Sequence, residues 1–147
     1  MRTLLVVVAT LLLRATPTWA ALGESLASVT AESQRLHGEV RSTVADGFSV
    51  HEITAPDGTV VRQFASPSGV VFGVSWRGPF VPDLAQLFGS YFQEYRQAAQ
   101  SPVRRHGPLV VRTDRLVVET GGHMRAFHGR AWIPGLLPAS VSERAVQ

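Results

Sequence analysis

The chain has 147 residues with neither cysteine nor lysine, so disulfides, thiolate metal sites and a cysteine nucleophile are excluded. Its 14 basic residues, all arginine, face 11 acidic ones. Two of them, Arg2 and Arg14, lie in the N-terminal apolar segment, which leaves 12 against 11, a balance of +1, for the remainder. A nearly neutral surface without a basic run lacks the phosphate-binding footprint of a nucleic-acid binder.

Met1-Arg2 opens the chain, followed by an uncharged run to Leu13 and by Arg14-Ala15-Thr16-Pro17-Thr18-Trp19-Ala20-Ala21. A basic head, a short apolar stretch and a small-x-small end are the three parts of a secretory signal peptide. Residues 1–20 therefore read as a signal peptide cleaved after Ala20, and the protein as exported to the periplasm or beyond. A membrane-spanning helix needs about 20 apolar residues, and Arg14 ends this run too early. No later stretch is apolar enough to span, so no membrane span is expected after cleavage.

Residues 21–47 read as an N-terminal arm, with a short helix possible over 24–36. Stretches 48–55, 59–65 and 70–76 are rich in β-branched and aromatic residues and predict strands. Pro56-Asp57-Gly58 and Pro67-Ser68-Gly69 separate them. In each, proline presets the first turn dihedral and glycine accepts the left-handed one. Pairing Ala55 with Thr59 and Ser66 with Val70 aligns Val50 with Phe64 and Phe72. It also aligns Glu52 with Arg62 and Val74, and Thr54 with Val60 and Trp76. The face bearing Phe64, Phe72 and Trp76 is then the expected core face of a three-stranded meander.

Leu84, Leu87, Phe88, Tyr91, Tyr95 and Ala98 recur at three- and four-residue steps and predict an amphipathic helix on that face. Asp83 with Gln86 forms a capping-box pattern, and Ser101-Pro102 marks the helix end. Leu109–Arg112, 116–120 and 123–132 read as strands, the last two joined by a Gly121-Gly122 turn. Pro134 and Pro138 close a single domain over 48–139, with a tail over 140–147. The fold class is α+β: an antiparallel sheet, a three-stranded meander plus a C-terminal hairpin, packed against one amphipathic helix.

Several segments together carry a family resemblance. They are Gly58-Thr59-Val60-Val61-Arg62, Val70-Val71-Phe72, Trp76-Arg77-Gly78-Pro79, Pro82-Asp83-Leu84, Leu87-Phe88-Gly89 and Gly121-Gly122-His123-Met124-Arg125-Ala126-Phe127. They resemble the domain-of-unknown-function 2844 family, small exported proteins of Gram-negative bacteria. The resemblance implies an envelope or secreted location and brings with it no activity, cofactor or catalytic residue.

The candidate chemistry centres on His51-Glu52 with Glu119, His123, Arg125 and His128, because histidine titrates near neutrality and ligates metals. Neighbours in a strand face opposite ways, and His123 and His128 are an odd number of residues apart. No His-x-His or helical His-x-x-x-His spacing places two ligands together, so neither a metal nor a cofactor is assigned, nor any catalytic residue. Gly121 and Gly122, as a turn, could form an anion-binding nest with His123 and Arg125 beside it. These four and His51 are the candidate contacts for a ligand or partner. The primary reading is a non-enzymatic binding or interaction protein of the cell envelope. The alternative is a small histidine-based hydrolase or metal-dependent enzyme built on His51, His123 and an acid.

Overall fold

The computed structural model describes residues 22–26, 39–100 and 108–147. The signal-peptide segment 1–20, most of the 24–36 helix and the Ser101-Pro102 helix end lie outside the described residues. Seven strands form one antiparallel sheet: β1 (Glu39–Ala45), β2 (Phe48–Thr54), β3 (Val60–Ala65), β4 (Val71–Gly78), β5 (Leu109–Arg112), β6 (Val117–His123) and β7 (Ala126–Trp132). Their spatial order is β1-β2-β3-β4-β7-β6-β5. Between β4 and β5 run α1 (Leu84–Phe88), a 3-10 turn and α2 (Phe92–Ala99). The architecture is an antiparallel sheet with one helical stretch, but the sheet is larger than a meander plus a hairpin.

The strand missing from the sequence reading is β1, which pairs with β2 along its whole length. It is an edge strand with Val44 86% exposed, so no core selects for alternation along it. Its signal is the turn: Asp46-Gly47 joins Ala45 to Phe48, with Gly47 at φ +82°, the left-handed conformation that glycine accepts in a two-residue hairpin.

Both Pro-x-x turns form as the sequence predicts. Ala55 N donates to Thr59 O at 2.8 Å, and Ser66 N to Val70 O at 2.9 Å. The β2–β3 register follows, with Val50 opposite Phe64, Glu52 opposite Arg62 and Thr54 opposite Val60. The next register does not. Ala65 pairs with Val71, but Phe64 pairs with Gly73, leaving Phe72 as an extra residue. Such a bulge interrupts side-chain alternation. Phe72 and the Cα–Cβ direction of Gly73 both point at the cluster holding Val146. Beyond the bulge Ser75, not Val74, stands opposite Arg62, and Arg77, not Trp76, opposite Val60. Phe64 and Phe72 therefore face away from Trp76, and the expected single aromatic face is split in two.

The helix lies on the Trp76 face. Leu87 and Phe88 are buried there with Val61, Val74, Val118 and Ala131, and the Trp76 and Phe88 rings are 6.0 Å apart. Asp83 caps α1, its Oδ1 accepting from Ala85 N at 2.9 Å and Gln86 N at 3.3 Å. Glu94 on α2 accepts from the Thr113 hydroxyl and from Arg115 Nη2, tying the helix to the β5–β6 turn. Leu22 is fully buried beside them, with its N–H on Leu87 O. Residues 23 and 24 run along β4 through Gly23 N to Val71 O and Val71 N to Glu24 O, so the described start of the expected helix is extended.

On the other face Phe48, Phe64 and Phe72 form a triangle with ring centroids 6.1–6.4 Å apart. Trp132 joins them. Leu137, Val141 and the fully buried Val146 cover this cluster, so the segment expected to be a tail packs as a strap.

The C-terminal hairpin also differs from its reading. Gly121 and Gly122 lie within β6, opposite His128 and Phe127, and the chain turns at Met124-Arg125, with Arg125 at φ +64°. A Cβ on Gly122 would stand 2.2 Å from Ala126 O, so this glycine serves a close backbone approach.

Gly129 makes a similar allowance for packing, since a Cβ there would lie 2.2 Å from Trp76 Cζ2. Gly129→Ala should lower unfolding stability by about 1–3 kcal/mol, as overpacking does. Val146→Ala should lower it by about 2 kcal/mol through lost burial and a residual cavity. Urea denaturation of each variant beside the parent protein measures both losses.

Candidate functional site

Toward the β3 start and the β4 end the strap covers the second face only in part. Register alone builds a row of side chains across it. Glu52, Arg62, Ser75, Arg130 and Glu119 stand opposite one another on β2, β3, β4, β7 and β6. Ser75 is at the centre, with an arginine on each side and a glutamate outside each arginine.

Both arginines are held from the outside. Arg62 Nε donates to Glu52 Oε2 at 2.7 Å, and Arg130 Nε to Glu119 Oε2 at 2.8 Å. Arg112 adds a longer contact to Glu119 at 3.3 Å. Half-exposed pairs of this kind contribute only about 0–1 kcal/mol of stability. Their effect here is orientation: Nε of each arginine, and Nη2 of Arg130 at 2.7 Å from Glu119 Oε2, are taken by a glutamate, which leaves Nη1 of each to reach over the sheet. Arg62 Nη1 donates to Gln147 O at 3.2 Å, and Arg130 Nη1 contacts Val146 O at 3.4 Å. The end of the strap thus lies across the centre of the row, with main-chain oxygens as acceptors. Arg130 also stacks over Trp132, its guanidinium carbon 5.1 Å from the ring centroid.

The adjacent register carries Val60, Arg77, His128 and Gly121. Arg62, Ser75, Arg77, His128 and Arg130 together line a cleft of about 690 Å³, with Val60 and Val110 supplying apolar surface. Positive charge is concentrated in the middle of the face and negative charge at its flanks.

The residues singled out from sequence are dispersed around this cleft. His51 is on the helix-bearing face of β2, where Nδ1 lies 2.9 Å from Ser42 Oγ and Nε2 3.1 Å from Ser49 Oγ. Burial pushes its pKa below the usual histidine value. His128 faces the opposite side, so the sheet separates the two. His123 and Arg125 are exposed at the hairpin end, away from His51. Gly121 lies directly against His128, whose Nε2 would be 2.9 Å from a Cβ at that position. Among the described residues, no three His, Asp or Glu side chains gather as a metal-binding group.

Arg62, Ser75, Arg77 and Arg130 did not emerge from sequence as a group, because they come from three strands brought into line by a bulge. Only the Glu52–Arg62 pair was visible, from the turn arithmetic.

The Arg62 guanidinium, by hydrogen bonding, holds the Glu52 carboxyl below its ordinary value, as the Thr113 hydroxyl and Arg115 do for Glu94. A carboxyl depressed in the folded state stabilises the fold fully above its unfolded pKa of about 4.5, and that contribution is lost as pH falls through the folded value. Glu52→Gln and Glu94→Gln should each flatten the acid side of the stability profile. Urea midpoints measured from about pH 6 down to about pH 3 would show it.

In comparison with known families, the model described as "Protein of unknown function (DUF2844)" matches residues 18–146. The chain belongs to that family. No curated protein and no solved structure matches it.

Proposed function

We propose that this DUF2844 family member is an exported envelope protein that acts by binding, through the partly covered, arginine-lined half of its second sheet face. Export is supported by the N-terminal sequence, with its basic head, apolar run and Thr18-x-Ala20 end. No helix among the described residues is long and apolar enough to cross a membrane. Binding is supported by one observation above the others: the inward-directed Arg62 and Arg130 guanidiniums flanking a cleft that the strap only partly fills.

The reading in which histidines do chemistry finds less support. His123 is exposed at the hairpin end away from His51, His128 lies on the opposite face from His51, and each nitrogen of His51 is within hydrogen-bond distance of a serine hydroxyl. A site with oriented donors and no assembled nucleophile–base pair is suited to holding a ligand.

The full chain should therefore be made in a Gram-negative host and fractionated. The intact mass of the periplasmic form should correspond to residues 21–147; retention of the whole precursor in the cytoplasm would refute export. A photo-crosslinking residue at Val60 or Val110, in the cleft, should give discrete adducts in intact envelopes. The same residue at the exposed Gln97 on the helix should not. Adducts equally frequent at all three positions, or at none, would refute binding through this face.

A further inference from the structure

We propose that Ser75, Arg77, His128 and Arg130 form a subsite for an organic oxyanion, a carboxylate or phosphate borne on a larger molecule. The inference rests on the reading that this face binds, and it names the chemistry of what is bound.

Ser75 carries the first part of the argument. It is only 6% exposed and lines the cleft, yet its hydroxyl has no hydrogen-bond partner among the described residues. The hydroxyl oxygen keeps contact with the cleft, so it can donate to an acceptor that enters there. Both cross-strand neighbours of Ser75 are arginines, so the acceptor there is favoured to be negative.

Arg77 and His128 carry the second part. They are directly opposite each other on β4 and β7, where paired side chains stand about 5 Å apart. Two donors in that position repel when both are charged, whereas an opposite-charge pair there is stabilising. Among the described residues no carboxylate comes within ion-pair distance of Arg77 or His128. An oxyanion between them would satisfy both.

These two parts describe one place. Ser75 and Arg77 are two residues apart on β4, as His128 and Arg130 are on β7, so each pair projects from the same face at a spacing of about 7 Å. Ser75, Arg77 and His128 therefore border a patch the size of one carboxylate or phosphate group, and Arg130, whose Nε and Nη2 are held by Glu119, adds Nη1 at its edge. The side-chain charge of the lining agrees: Arg62, Arg77 and Arg130 against Glu119 give +2 before histidine is counted. The Nη1 atoms of Arg62 and Arg130 already contact main-chain oxygens of Gln147 and Val146, so the row accepts oxygen ligands from the solvent side. A cleft of about 690 Å³ with Val60, Val110 and Pro108 on its walls exceeds a bare ion and leaves apolar surface for an organic body.

The test is a titration of the ¹⁵N-labelled protein, followed by amide and arginine Nε–H shifts, with glycerol phosphate and separately with galacturonate. Glycerol is the uncharged control. Saturable shifts at Ser75, Arg77, His128 and Arg130 with either acid support the subsite, and the acid that binds more tightly decides between phosphate and carboxylate. Arg77→Gln and Ser75→Ala should each raise the Kd about tenfold, the scale of one lost charge-assisted hydrogen bond, with an unchanged thermal midpoint. Arg41→Gln, on the same face but outside the cleft, should leave the Kd as it was. The proposal is overturned if neither acid saturates by about 10 mM, the weak end of measurable affinity. It is overturned equally if Arg41→Gln weakens binding as much as Arg77→Gln. Cleft-specific crosslinks in envelopes together with a negative titration would leave binding through the face standing and remove the oxyanion alone.

Discussion

The bulge at Phe72–Gly73 decides how this sheet is covered. β4 is buried on both faces from Val71 to Trp76, so two coverings are needed, and the bulge determines which side chains each receives. Val74 and Trp76 go to the helix. Phe72 goes to the aromatic cluster with Phe48 and Phe64, and Gly73 leaves the gap that Val146 fills. With unbroken alternation Phe72 and Trp76 would share a face, and one covering would have to accommodate both. The extra residue distributes the large aromatic groups between two layers, each small enough for a short segment to close.

The same bulge assembles the candidate site. Without it Arg62 would face Val74, and Ser75 would point toward the helix. With it Ser75 enters the polar row and Arg130 lines up beyond it, so five strands contribute one residue each. The ion pairs at either end contribute little to stability, but they hold two long side chains in place. A guanidinium fixed through Nε presents its remaining donors in a set direction, a form of preorganisation that reduces the ordering cost of binding.

How much of this was legible in the sequence follows from the range of each signal. The Pro-x-x turns are local, and they specified the β2–β3 register, including the Glu52–Arg62 pair, residue by residue. The helix stripe and the Asp83 cap are local as well. The bulge is not: Phe72 is as good a strand residue as any, and its displacement arises from packing on both faces. Gly121-Gly122 was open to two readings because glycine serves tight turns and close backbone approaches alike, and here the approach to Ala126 prevails. β1 escaped because an exposed edge strand has no burial pattern, although Asp46-Gly47 carried a turn signal. The 140–147 segment looked like a tail because Val141 and Val146 are isolated apolar residues among polar ones. Their value appears only against the hollow between Phe48, Phe64, Phe72 and Trp132. The cleft residues were invisible for the same reason as the bulge, since Ser75, Arg77, His128 and Arg130 meet through register and not through spacing.

The strap connects the two halves of the second face. Its apolar residues close the aromatic half, and its last main-chain oxygens reach Arg62 and Arg130 at the border of the polar half. Stability and exposure of the cleft are therefore linked through one segment. Val146 seats the strap against Gly73, and that seating places the main-chain oxygens of Val146 and Gln147 over the row. A ligand competing for the Nη groups would displace two main-chain contacts of 3.2 and 3.4 Å, both long for charge-assisted hydrogen bonds. The buried Val146 side chain need not move. The cleft can thus exchange its acceptors without exposing the aromatic cluster, because the polar contacts at its edge are weak and the apolar contact that anchors the strap is not.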